Sequence, residues 1–345
     1  MKYQRIFFIV VAFILVISAC SNKEEQVAKN RKTPPKEEQI NEEPVFANSF
    51  PLTGIETNED VNHRAIAVMI NNHPAARPQS GLHKADVVYE IIAEGGVTRF
   101  LAIFQSEMPE RVGPIRSARD YYIELAKGFN GLYVHHGWSP QAKKMIENGY
   151  IDSLNGLFYD GTLFKRSSDR VAPHNSYITY ENILAGAERN HFKTEGPPDS
   201  FKFLEEDQIL AISGTNATNV TISYSSFDFQ VNYQYDSALG KYKRFSGGIQ
   251  TTDYDTNQEI LLDNIMVLEI PHQTVDNYGR NALLFESGGK GYLIYKGKMK
   301  DIEWKYENNR IIPLKDGKEA ALVPGKTWIN IVPTYPGLSQ SVSVE

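Results

Sequence analysis

From Lys202 to Pro333 the chain is a succession of short β-rich runs, broken about every ten residues by glycine, asparagine or aspartate turns. "NVTISYSSFDFQVNYQYD" alternates apolar and polar residues, and "YDSALGKYKRF" has the form of a hairpin. "IMVLEI", "NALLFES", "GYLIYK", "DIEWKY" and "TWINIV" follow. A period of two puts every second side chain on one face. Strands of this kind must close into a barrel or stack as a sandwich to cover that face. The chain has one cysteine, Cys20, so no internal disulfide can hold the sheets and packing must do so.

Residues 64–192 read differently. "AIAVMI" is a short buried strand, and "DVVYEIIAE" and "VTRFLAIF" form a hairpin around Gly95-Gly96. Ser117, with Asp120 three residues on, has the spacing of a helix start, and Gly128 that of a stop. A strand over Leu132–His135 then leads to Ser139 as cap, Pro140 at the first helical position and a helix over Gln141–Asn148. Thr179 caps a third helix, Tyr180–Arg189. With 345 residues the chain exceeds the roughly 250–300 that one core supports. The expected fold is α+β in two domains. An N-terminal α/β domain with a mixed sheet takes 51–200, a mostly-β barrel or sandwich takes 201–337, and 338–345 is a tail.

The N-terminus sets the location. A short basic start is followed by an uncharged apolar run, Ile6 to Ala19, that ends at Cys20. The run falls short of the roughly 20 residues of a membrane span and fits an export signal over 1–19. "LVISAC" resembles the lipobox of bacterial lipoproteins. That resemblance implies cleavage before Cys20, a diacylglycerol on its sulfur and acylation of the new amino group, including by palmitate. Two or more chains make a stable anchor where one does not. Residues 20–50, with Pro34-Pro35 and mixed charge, read as lipidated cysteine plus flexible stalk. The net charge is −6, and loss of Lys2 and Arg5 makes it more negative still. Nucleic acid is therefore not an expected partner.

"MINNHPAARPQSGLHKADVVYE", "EGGVTRFLAIF", "GPIRSAR", "HHGWSP", "PHNSY" and "PGKTWINIVP" occur in this order. Together they resemble the YerB-like lipoproteins of Gram-positive bacteria, over roughly residues 51–335. The resemblance implies two domains and a lipid anchor. It carries no catalytic residue and no cofactor.

Arg116 and Arg119 stand where a strand hands over to a helix, a place suited to anions. Arg77 and Arg99 are placed at the same cleft, as are Trp138 and Ser139 at the next such junction. The alternative is that these arginines pair with Asp86, Glu90, Glu94 and Asp120 as structural clamps. His135 and His136 point to opposite faces. One of them, with His174, is a candidate base or ligand. No metal-binding motif supports that role. Ser117 and Ser139 lack a nucleophile elbow and read as helix caps. "DYDTNQE" fails the calcium-loop test at Gln258 and Asn264. The tyrosines and tryptophans of the second half fit a β core.

The expected function is an extracytoplasmic lipoprotein held at the cell membrane. It would be a non-catalytic binding or partner module for an envelope protein or an anionic cell-wall component, linked to wall synthesis. An envelope hydrolase or transferase with an Arg/His site, and a solute-binding lipoprotein, are the alternatives. No metal and no cofactor are expected.

Overall fold

The computed structural model describes residues 46–345. The leader (1–19), Cys20 and the stalk up to residue 45 lie outside the described residues. The first half builds β1 (Ile66–Asn71), β2 (Val87–Ile92), β3 (Thr98–Phe104), α1 (Asp120–Gly128), β4 (Leu132–His135), α2 (Pro140–Glu147), β5 (Ser153–Asn155), β6 (Phe164–Arg166), β7 (Ser176–Thr179) and α3 (Tyr180–Arg189). The second half builds β8 (Asn219–Ile222), β9 (Val231–Asp236), β10 (Lys241–Ser246), β11 (Asn264–Ile270), β12 (Gly289–Tyr295), β13 (Lys298–Glu307), β14 (Arg310–Lys315), β15 (Thr327–Pro333) and β16 (Val342–Val344).

A 12-stranded mixed sheet runs in the order β14-β13-β12-β11-β15-β2-β3-β1-β4-β5, with short strands completing it. β15 lies parallel to both β11 and β2, and β4 lies parallel to β1 and β5. β2, β3 and β1 form an antiparallel set around the Gly95-Gly96 turn. β1 is buried along its whole length, as a strand covered on both faces must be. A second, 6-stranded sheet holds β10, β9, β8 and β16.

The large sheet separates two cores. On one face Tyr89, Ile91, Met266 and Ile329 meet Tyr122, Leu125 and Phe129 of the α1 region. On the other, Val88, Phe100 and Trp328 meet Val220, Tyr233 and Tyr242 of the small sheet, which gives the second half its sandwich. The boundary expected at 200/201 is thus crossed by a shared sheet, because β15 inserts beside β2.

Local expectations fare unevenly. Ser139 Oγ accepts from Ala142 N and Thr179 Oγ1 from Asn182 N, so α2 and α3 begin as read. Ser117 is not the cap of α1. Arg119 occupies that position without a side-chain bond, and Ser117 Oγ donates to His136 O at 3.0 Å. Gly128 ends α1 without stopping it by a left-handed turn. A Cβ there would strike the Asn309 carbonyl, so the glycine serves close packing. Residues 338–345, expected as a tail, close back instead. Leu338 is buried, and β16 pairs with β8. At the other end Asn48–Ser49 pairs with Glu56–Thr57 and Phe50 is buried, so ordered packing begins inside the expected stalk.

Candidate functional site

The ribbon Gly113–Ala118 is the centre of the site. Asn71 N donates to Pro114 O at 2.9 Å, and Arg116 N to Met69 O at 2.9 Å, at the end of β1. Ile115 N donates to Ser176 O at 2.7 Å, and His136 N, just past β4, to Arg116 O at 2.9 Å. The ribbon therefore fills the gap at the carboxyl ends of two parallel strands, where open α/β sheets place their ligands.

Arg99 and Arg119 converge on one carboxylate. Arg99 Nη2 and Arg119 Nη2 each donate to Glu94 Oε2 at 2.8 Å, and Arg119 Nε donates to Glu94 Oε1. Burial pushes the Glu94 carboxyl up. The Arg119 bonds and the fields of Arg99 and Arg119 outweigh this and hold it below its ordinary value. These two arginines, placed at the anion cleft on sequence, are thus clamps for the Gly95-Gly96 turn. Asp86 and Glu90 do not join them. Asp86 is buried beneath the Gln105 and Ser106 amides, and Glu90 faces the small sheet.

Arg116 is different. Among the described residues it forms no ion pair and no side-chain hydrogen bond, although it is only half-buried. Burial and the neighbouring Arg99 and Arg119 push its guanidinium down to about 10, with Glu94 opposing them. Three guanidiniums thus lie in the field of one carboxylate, which only Arg99 and Arg119 engage.

Of the histidines around Arg116, His73 and His174 keep an uncommitted N–H among the described residues, and that of His136 is spent on Ser176. Asn71 Nδ2 contacts His174 Nδ1 at 2.9 Å, which makes that nitrogen the acceptor and leaves the proton on Nε2. His73 stacks on His174 with ring centres 4.6 Å apart, and its Nδ1 accepts from Ala75 N at 3.1 Å. Arg166 Nη2 lies 3.0 Å from His136 Nε2, so Nδ1–H of His136 donates to Ser176 Oγ at 2.8 Å. Burial, then His73, Arg116 and Arg170, hold His174 below its ordinary value. Burial, Arg166 and Arg116 do the same to His136 against Asp160. Each of the three imidazoles has its lone pair occupied, so none is a free base.

The remaining candidates lie apart. His135 is fully buried, with Nδ1 on Gly137 O at 2.8 Å and Nε2 without a partner. Trp138 packs edge-on against Phe158 and tilted on His135, and Ser139 is spent as a cap. Arg77 does not join Arg116. It bonds Asn72 and the Asp228 carbonyl, over the Phe229 ring. In "DYDTNQE", Asp253 Oδ1 caps its own turn and Oδ2 accepts from Gly81 N at 2.6 Å. A concavity of about 770 Å³ lies on the second half, lined by Lys290, Lys315, Glu269, Asp301 and Glu303. Its mixed charges offer no selective field. His73, Arg166 and Ser176 were missed on sequence. Their only local signal is position: Arg166 ends β6, Ser176 begins β7 and His73 lies two residues past β1.

The architecture defines an α+β protein with a cationic crevice at the ends of two parallel strands. The chain belongs to the family described as protein of unknown function DUF3048. Residues 52–193 match its N-terminal domain and 220–329 its C-terminal domain. It is 47% identical over 294 residues to "Putative lipoprotein YerB" of Bacillus subtilis (strain 168), covering 84% of this chain and 88% of that one. It is also similar to the crystal structure of YerB from Bacillus subtilis. The TM-score there is 0.80 at 45% identity, with 86% of this chain and 99% of that one covered. No helix among the described residues is long and apolar enough to cross a membrane.

Proposed function

We propose that this protein is an extracytoplasmic lipoprotein, anchored through acyl chains on Cys20, that binds an anionic component of the cell wall. The anchor rests on the apolar run ending at Cys20 and on the lipoprotein name of a relative 47% identical to this chain. The binding role rests on one observation. Among the described residues Arg116 is an unpaired guanidinium at the strand ends, beside histidines whose lone pairs are all engaged. Donors without a free base favour holding an anion over acid–base chemistry. A hydrolase or transferase would need one of those imidazoles to accept a proton, which breaks an existing bond in every case.

The test pairs co-sedimentation with purified cell wall and thermal melting. Arg116→Ala is expected to weaken wall binding by at least about tenfold, because a charge-assisted contact is lost. The melting temperature should stay unchanged, since the side chain has no partner to lose among the described residues. Equal wall binding by the variant and its parent would refute the site. A Cys20 peptide of unmodified mass from native membranes would refute the anchor.

A further inference from the structure

A second cavity, of about 250 Å³, lies between the segment after β1 and the β10 hairpin. Arg77 lines it from one half of the chain, and Arg244 and Ser246 from the other. Arg244 is 1% exposed. Its Nη2 donates to Glu90 Oε2 and its Nη1 to Thr251 Oγ1, each at 2.8 Å, and the Tyr233 hydroxyl lies beside it, but among the described residues its Nε has no acceptor in hydrogen-bond geometry. The Ser246 hydroxyl is likewise buried without a partner. Two residues that line one cavity thus each carry a buried polar atom without a hydrogen bond, which costs free energy. Arg77 faces the same space with no carboxylate paired to it among the described residues. Burial and the neighbouring Arg244 push it down to about 10, against the fields of Glu90 and Asp228.

The charge and the walls narrow the occupant. Two guanidiniums stand against Glu90, which is buried, and Asp228, which is exposed and screened by solvent, so the inner part of the cavity carries about one positive charge and suits a monoanion. A phosphate monoester would bring close to two negative charges. Asp228 lends Arg77 its carbonyl and is itself an exposed lining residue. The other rim residues, Pro74, Pro78 and Ile249, are exposed and apolar, while the cationic groups lie deeper. The cavity is smaller than the roughly 300–1,000 Å³ of drug-sized sites. We infer that this cavity is a binding site for a carboxylate carried on a short apolar body, held by Arg77, Arg244 and Ser246, and separate from the Arg116 crevice.

Isothermal titration of the full-length, detergent-solubilised protein in chloride-free buffer tests this. The probes are butyrate, N-acetyl-alanyl-alanine, the C-terminal amide of that dipeptide, and inorganic phosphate. Both carboxylates are expected to bind and the amide is not. Tighter binding of the dipeptide assigns a peptide terminus, and tighter binding of butyrate assigns a free organic acid. Arg77→Met and Ser246→Ala should each weaken the carboxylates, the former by about tenfold or more. The titrations are repeated on Arg116→Ala, so that heat from the strand-end crevice is told apart from heat at this cavity. Ser246→Ala keeps the test open if Arg77→Met fails to fold. Binding of the amide, preference for phosphate, absence of heat with every probe, or affinities that neither variant alters would overturn the assignment.

Discussion

His135 shows how one buried side chain writes itself into the pH dependence of the whole chain. Burial holds its imidazole down at about 4, against an ordinary 6.5, while the Gly137 carbonyl opposes the shift. The folded state therefore binds fewer protons than the unfolded state between these values. Its contribution to stability is present above about 6.5 and is lost as pH falls towards 4. Asp86 has the opposite sign. Burial raises its carboxyl to about 6 despite the Ser106 and Gln105 bonds, so its contribution is present below its unfolded value near 3.9 and is lost as pH rises to 6. The two slopes oppose each other across the same window. Replacing His135 by Gln removes one of them. Urea unfolding at about pH 7 and about pH 4.5 should show the variant losing about 2 kcal/mol less than the parent on acidification. An identical loss in both proteins would mean that His135 is already charged when folded.

The closing segment makes the same point for an element. Leu338 is buried, and its amide donates to Glu269 Oε2 at 2.8 Å. Val342–Val344 pairs with all but the first residue of β8, Asn219–Ile222. Deleting 338–345 removes one buried leucine and a short ladder, a loss of about 2–4 kcal/mol. It also uncovers the edge of β8. Urea titration should show that loss, and sedimentation should show concentration-dependent association of the shortened chain. A monomer of parental stability would show that the segment contributes nothing. This element also marks where sequence reading stops. α2, α3 and the β2–β3 hairpin were legible because caps, proline and Gly95-Gly96 are local signals. The pairing of Arg99 with Glu94 follows from that hairpin, since the two residues flank its turn. The return of "SVSV" to β8 and the place of β15 beside β2 depend on partners more than 100 residues away, and no short pattern records them. For the same reason Arg77 was assigned to the wrong cavity and Arg166 was overlooked. The segments that carry them have no period to show which way a side chain turns.

For the molecule as a whole, the question is whether its two family domains can part. The described residues form one compact unit, and its two halves are joined in two ways. β2 and β15 share the large sheet, and Glu90 on β2 meets Arg244 on β10 across the second core. That ion pair is 0% and 1% exposed, with Trp328 Nε1 and Thr98 Oγ1 also donating to the Glu90 carboxylate. Arg244 further stacks 4.4 Å from the Trp328 ring centre. A buried pair gains little net stability over an apolar replacement, because desolvation consumes most of the attraction. Breaking one side is another matter, since the charge left behind has neither water nor partner. Glu90→Gln or Arg244→Met alone should cost about 3–5 kcal/mol, a large part of the total for a domain. The double variant should recover much of that loss, because no lone charge remains. Tryptophan fluorescence, to which Trp328 at the junction contributes, and far-ultraviolet circular dichroism should report one coincident urea transition in the parent. Two separated transitions would mean that the halves fold as independent bodies. The shared sheet would then be a docking surface between them, and the Arg77–Arg244 cavity an interface that can open.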